Sequence, residues 1–339
     1  MKTLRGVHGP AALPRPSLAR RRLLAAMASL PALALAQSRD AYPSRPIRLV
    51  VPVPPGGPAD LAGRAIAERL REELGQPVVV DNRAGAAGTL GTANVLQSPP
   101  DGYTLLLSLP SAQITAPLML DKPPFDGAKD FTAIGQFLRT SAVLLVNKSV
   151  PVRDFEGLVS YAKQRPGKLN YSSTGIGSNP HLVMELVKLR TGMDIVHVPY
   201  KGGAAMLQAA VGNEVQLLFG EISTSMPWIQ SGRLTPLGIV SAKRSPLLPD
   251  VPSLVEDKIF DAPADFWMGL AGPPRMPAGL VKQLNHVLAK AVQSPEMKQF
   301  FQKTATEPAF TDPGSFEALW QSEQHRWAEV IRARHIRAE

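Results

Sequence analysis

The stretch IRLVVPVPPGGPAD, residues 47–60, together with the segment running on from it to Val80, decides the fold. Ile47 to Val53 is a short run rich in β-branched residues and predicts a strand. Pro54-Pro55-Gly56-Gly57-Pro58 breaks it. From Ala59 to Leu74 the apolar residues Leu61, Ile66, Leu70 and Leu74 recur near helical spacing, with Arg64, Glu68, Arg71 and Glu72 mostly opposite. Pro58 suits a first helical turn, and Gly75 suits the stop. Val78 to Val80 is the next strand. Strand, glycine-rich turn, helix and strand make a βαβ unit, the building block of α/β folds.

The alternation continues outward. Asp101-Gly102 is a turn before a buried strand, Tyr103 to Leu107, and Ala142 to Val146 predicts another. A helix over Asp154 to Arg165 stops at Pro166-Gly167. Leu169 to Ser172 is a short strand, and Asn179-Pro180 opens a helix over His181 to Arg190, with Asn179 as its N-cap. Ile195 to Val198 is a strand, and Lys201-Gly202-Gly203 opens a helix over Ala204 to Val211. Val215 to Phe219 and Leu237 to Val240 are further strands. Long amphipathic helices over Leu280 to Val292 and Phe316 to Arg334 complete the chain. Strands alternating with helices predict mostly parallel sheets, whose ligands bind beyond the carboxyl ends of strands, near helix N-termini.

Toward the N-terminus the composition changes. The chain has 339 residues, a formal charge of +9 and no cysteine. The length is enough for two domains with a substantial core. Zero cysteine excludes disulfide scaffolds, thiolate catalysis, cysteine-ligated zinc and a lipoprotein anchor. Lys2, Arg5, Arg15, Arg20, Arg21 and Arg22 stand before residue 37 with no acid among them, which leaves only +3 for residues 37–339. That balance argues against nucleic acid as a partner. The apolar run Leu23 to Ala36 is too short to span a bilayer and ends Ala34-Leu35-Ala36, so residues 1–36 read as a secretory signal peptide cleaved near Ala36. Three consecutive arginines before Leu23 are also compatible with a twin-arginine signal. The mature chain is expected in the periplasm as a monomer.

Three strand-to-helix turns concentrate glycine and hydroxyl groups: PPGGPAD (54–60), SSTGIGSNPH (172–181) and PYKGGA (199–204). Each leads into a helix, so each presents backbone N–H groups and the positive end of a helix dipole to an anion. Any one of them alone is an ordinary tight turn. Enzyme signatures are poor: there is no G-x-S-x-G elbow, H-E-x-x-H or phosphate loop. Gly85, Gly88 and Gly91 read as a packing element. No two of the six histidines stand at metal-ligand spacing, and no cofactor is implied. His197 reads as a structural strand histidine. His181 beside Ser178 leaves open a serine–histidine pair, and with it an exported hydrolase, but no acid partner is visible. The tryptophans read as packing residues.

Several motifs, in order, resemble one family. YPSRPIRLVVPVPPGGPAD (42–60), GQPVVVDNRAGAAGTLG (75–91), SPPDGYTLL (98–106), AKQRPGKLNYSSTGIGSNPHL (162–182) and VHVPYKGG (196–203) are similar to the substrate-binding proteins of tripartite tricarboxylate transporters, the Bug or TctC-type periplasmic receptors. RSPLLPDVPSLVE (244–256) and FWMGLAGP (266–273) continue the likeness. The resemblance implies a type 2 periplasmic binding-protein fold. Domain 1 would be residues 37–140 plus 262–339, and domain 2 residues 141–261. The two would close on a small carboxylate, without catalysis, and deliver it to membrane permease subunits. A receptor docking on a membrane sensor is the alternative. Carried over by motif, Gly56, Gly57 and Asp60 match the first turn of the family site. Thr174, Gly177, Ser178 and His181 match the second, and Tyr200, Lys201 and Gly202 the third. Ser111 lies in SLPSAQITAP (108–117), the segment expected to set specificity along with Ser108, Gln113 and Thr115.

Overall fold

A computed structural model describes residues 42–338, and its compact unit begins at Arg45. The basic and apolar segment 1–36, with its cleavage pattern, lies outside the described residues. Among the described residues no helix is long and apolar enough to cross a membrane.

The opening βαβ unit is as the sequence predicts. β1 (Ile47–Val51) pairs in parallel with β2 (Val78–Asn82) and with β3 (Thr104–Ser108). Leu49, Val50 and Val51 are fully buried, as a central strand covered on both faces requires. α1 (Pro58–Leu74) carries Pro58 in its first turn and buries Ala62, Ile66 and Leu70 on one stripe. Burying Ile66 and Leu70 contributes about 1.5–3 kcal/mol each. Gly75 ends the helix in a left-handed conformation, its N–H donating to the Arg71 carbonyl.

Two sheets result. The first has the order β11-β4-β10-β3-β1-β2, the second β7-β6-β8-β5-β9. The first adds β4 (Thr132–Thr140), β10 (Phe266–Gly272) and β11 (Glu307–Pro308). The second comprises β5 (Ala142–Asn147), β6 (Leu169–Ser173), β7 (Ile195–Pro199), β8 (Leu217–Glu221) and β9 (Leu234–Ile239). The sheets are mixed, not mostly parallel. β10 runs antiparallel to β3 and β4, and β5 antiparallel to β8 and β9. The reason is the path of the chain. β5 and β10 are the strands by which it enters each sheet from the other, so they run against the βαβ strands of that sheet.

The helices are α2 (Thr89–Leu96), α3 (Phe155–Lys163), α4 (Asn179–Thr191), α5 (Gly203–Val211), α6 (Ile222–Gln230), α7 (Ala278–Gln293), α8 (Pro295–Thr304) and α9 (Pro313–Ala333). A helical turn also spans Pro110–Thr115 after β3. α4 starts earlier than predicted: Ser178 is its N-cap and Asn179 is already helical. α9 buries Phe316, Trp320 and Trp327 completely and packs on β4 and α4. Between β4 and β5 stands Ser141. The return passes Ser241 and reaches Asp265 just before β10. The Ser141 and Ser241 hydroxyls both donate to Asp265 Oδ1, at 3.1 and 2.6 Å, which clamps the two crossings together.

Candidate functional site

β1 and β3 in the first sheet, and β6, β7 and β8 in the second, are parallel within their sheets. Their carboxyl ends carry the turns rich in glycine. In the first turn Gly56 has φ +91°, a left-handed conformation that disfavours a side chain. Its N–H donates to Asp60 Oδ2 at 2.8 Å, Arg64 Nε donates to the same oxygen at 3.0 Å, and Asn82 Nδ2 donates to Oδ1 at 2.9 Å. Asp60 is therefore buried and saturated by its own chain. The Arg64 hydrogen bond, with those of Gly56 and Asn82, holds its carboxyl down at about 2 despite burial. Asp60 shapes the turn, and its oxygens are already engaged. Gly57 is different: it is the N-cap of α1, makes no side-chain cap, and a Cβ built on it would meet nothing within 4 Å.

The glycine run beside this turn is a packing element. A Cβ on Gly88 would stand 2.5 Å from Ala112 Cβ and 2.9 Å from the Pro52 carbonyl oxygen. Close approach there seats the 85–91 loop between the first turn and the helical turn after β3. At the end of β3, Ser108 is fully buried and bonded at 2.5 Å to the equally buried Gln113 of that helical turn, and Gln113 also donates to the Gly127 carbonyl. They belong to the core. Thr115 is buried and donates to the Ser111 carbonyl. Ser111 is half-buried and shares a small cavity with Asn179 and Leu182 of α4, Phe266 and Trp327. The first sheet's turn thus meets the second sheet's.

The second turn is internally tied. Ser178 Oγ donates to the Gly175 carbonyl at 2.7 Å, and the Gly177 N–H donates to His181 Nδ1 at 3.0 Å. Gly177 lies against the Met119 thioether. Thr174 is exposed at the tip. His181 must be neutral to accept from Gly177, and burial, reinforced by His197, pulls its pKa down to about 4. Ser178 and His181 are not partners, so the serine–histidine pair that the sequence leaves open does not form. Instead Ser173 Oγ and His197 Nε2 are 2.6 Å apart, and the His181 and His197 rings stack with centroids at 4.1 Å. Their separation in sequence hid this pairing. The third turn joins the second through the Tyr200 N–H, which donates to the Ser173 carbonyl at 2.9 Å. The Tyr200 hydroxyl donates to Glu214, beyond the end of α5, and Lys201 and Gly202 are exposed.

One property unites the three turns. Gly57, Ser178 and Gly202, the N-caps of α1, α4 and α5, make no side-chain cap hydrogen bond, a feature they share with Gly88, Glu221 and Pro277 before α2, α6 and α7. The first-turn N–H groups lack intrahelical carbonyls and are left to a ligand or water. Asp154, Ser294 and Asp312 by contrast cap α3, α8 and α9. The sequence reading missed Glu221, which ends β8 in line with the second and third turns. Its carboxyl is pushed up by its desolvating surroundings and has no partner among the described residues. Among these residues no group of three or more His, Asp or Glu is placed to hold a metal ion.

A family model for the tripartite tricarboxylate transporter family receptor matches residues 62–336. The chain belongs to this receptor family. Protein BugT of Bordetella pertussis is 34% identical over 296 residues, 87% of this chain and 91% of its own. Among solved structures, Rpa4515 of R. palustris with adipate is 34% identical, with a TM-score of 0.69 over 87% of this chain and 99% of its own. MatC of Rhodopseudomonas palustris with bound malate is 28% identical, with a TM-score of 0.66 over 86% and 100%. Receptors of this kind are two-domain periplasmic solute-binding proteins, and the present one is a binding protein, not an enzyme.

Proposed function

We propose that this receptor captures a small carboxylate between two domains, residues 37–140 plus 262–339 and 141–261, and hands it to the membrane subunits of a tripartite transporter. The observation that carries the reading is the set of three uncapped helix starts at Gly57, Ser178 and Gly202. First-turn N–H groups aligned with a helix dipole suit a carboxylate without any side-chain cation. Adipate and malate in two related receptors support this class of ligand. In the proposed cycle the open form takes the anion on the Gly57 turn. The Thr174–Ser178 turn then closes on it, with bending at the Ser141 and Ser241–Asp265 crossings. Ser111 and Thr174 face the ligand as hydroxyls, Lys201 supplies charge at the rim, and His181 and Asp60 keep their turns in shape. Residues 1–36 direct export and are removed near Ala36.

A thermal-shift screen of residues 37–339 against adipate, malate and other di- and tricarboxylates tests this. A ligand at 100 times its dissociation constant adds about 2.7 kcal/mol. Gly57 has φ −84° and open space at its Cβ position, so Gly57→Val should fold normally and lose the shift. A panel in which only sugars or amines raise the melting temperature overturns the ligand class. A Gly57→Val variant that keeps the full shift moves the site elsewhere.

A further inference from the structure

A groove of about 850 Å³ lies away from the three turns. In both sheets the crossing strands, β4 and β10 in one and β5 and β9 in the other, lie to one side of the βαβ strands. The candidate site is on the βαβ side. The groove is on the other, lined by the β4–β11 edge and α8 from the first sheet and by the start of α6 and residues 241–247 from the second.

Its lining has a definite chemistry. Arg139, Lys243, Arg244 and Lys298 reach it, against one acid, Glu307. Arg139 is bound to Glu307 at 2.8 Å and Arg244 to Glu256 at 2.8 Å. The ammonium groups of Lys243 and Lys298, one on each wall, have no ion pair or hydrogen bond among the described residues. Asp265, bonded to Ser141 and Ser241, is not among the residues that line the groove, and neither lysine pairs with it. Between the cations, Ser223, Ser245, Gln302 and Thr306 alternate with apolar side chains: Ile222 and Phe301 are buried, and Leu247 has 56% of its surface exposed. No part of the carboxylate site accounts for a large aliphatic side chain left open beside two unpaired ammonium groups.

We propose that this groove is a second binding site, for an organic anion with an apolar body, its charge set between Lys243 and Lys298 and its hydrocarbon or aromatic portion against Leu247, Ile222 and Phe301. A volume within the usual range for small-molecule pockets, mostly apolar walls and a few converging charges are what such a ligand needs. The site is independent of the carboxylate turns and does not rest on their assignment.

The probe is 1-anilinonaphthalene-8-sulfonate, an aromatic body with one anionic group, titrated by fluorescence into residues 37–339. One saturable site is expected. The double variant Lys243→Glu/Lys298→Glu should weaken it at least tenfold while its melting temperature stays near that of the parent, since both lysines are exposed. Gly57→Val should bind the probe unchanged, which separates this groove from the carboxylate site. Parent-like affinity in the double variant overturns the proposal. So does the absence of saturable binding in the parent, or loss of the probe in Gly57→Val.

Discussion

At the residue scale the instructive group is His181. Its Nδ1 accepts from the Gly177 N–H, so the second turn has its shape only while the ring is neutral. Burial, then His197, brings its pKa down to about 4 from an ordinary 6.5; Glu185 pulls the other way and Lys188 adds to the depression. Between those values the unfolded chain takes up a proton that the folded chain refuses, so stability must fall as pH drops. The contribution is complete above pH 6.5 and is lost on the way down to pH 4. A gap of that size amounts to about 3 kcal/mol at most. His197, stacked on His181 and itself lowered by burial, acts in the same direction. Urea denaturation at pH 7 and pH 4.5 should therefore show the parent losing about 2 kcal/mol more than His181→Asn, which has no ring to protonate. Equal losses in the two proteins would show that the histidine is not the sensor.

At the scale of elements, the glycine-rich loop after β2 makes a sharper case than the turns it supports. Gly88 has φ +92°, and a Cβ there would press on Ala112 and on the Pro52 carbonyl. Backbone cannot retreat as a flexible side chain can, so Gly88→Ala should cost about 2–4 kcal/mol. The shift should also disturb the Gly57 turn. A melting curve and the carboxylate thermal shift measure both effects, and an unaltered melting temperature would contradict this packing. The same loop shows what a sequence discloses. Gly85, Gly88 and Gly91 were legible as packing because glycine's reason is local, and the turns at Gly56, Gly177 and Gly202 were legible for the same reason. Asp60 entered the sequence reading as a ligand-binding residue of the first turn. That its oxygens are taken depends on Asn82, a strand away. β4 and β10 escaped the reading because their continuous burial comes from helices packed on the sheet, and neither shows an alternating pattern. The mixed sheet order escaped it too, since no local signal says which strand crosses between sheets.

At the scale of the whole molecule, the last turn of the chain is tied to the helix that starts at the candidate site. Glu185, on α4 and buried, accepts from Tyr171 Oη at 2.6 Å, Lys188 Nζ at 2.6 Å and Arg334 Nε at 2.5 Å. Burial pushes its carboxyl up, but these donors outweigh burial and hold it below the usual range. Tyr171 and Lys188 belong with the second sheet. Arg334 comes from just beyond α9, whose other contacts include β4 of the first sheet. The bond therefore joins the two halves about one turn along α4 from His181. Removing Arg334 leaves Glu185 two donors, so the loss is smaller than for an orphaned buried charge. The guanidinium also keeps some exposure, which screens it further. Arg334→Ala should cost about 1–2 kcal/mol in denaturant unfolding. Glu185→Gln removes the charge that Arg334 answers, so Arg334→Ala in that background should cost at least ~0.5 kcal/mol less. Strict additivity across the cycle would mean that the ends of α9 and α4 are held by packing alone, and that this ion pair does not join the halves of the receptor.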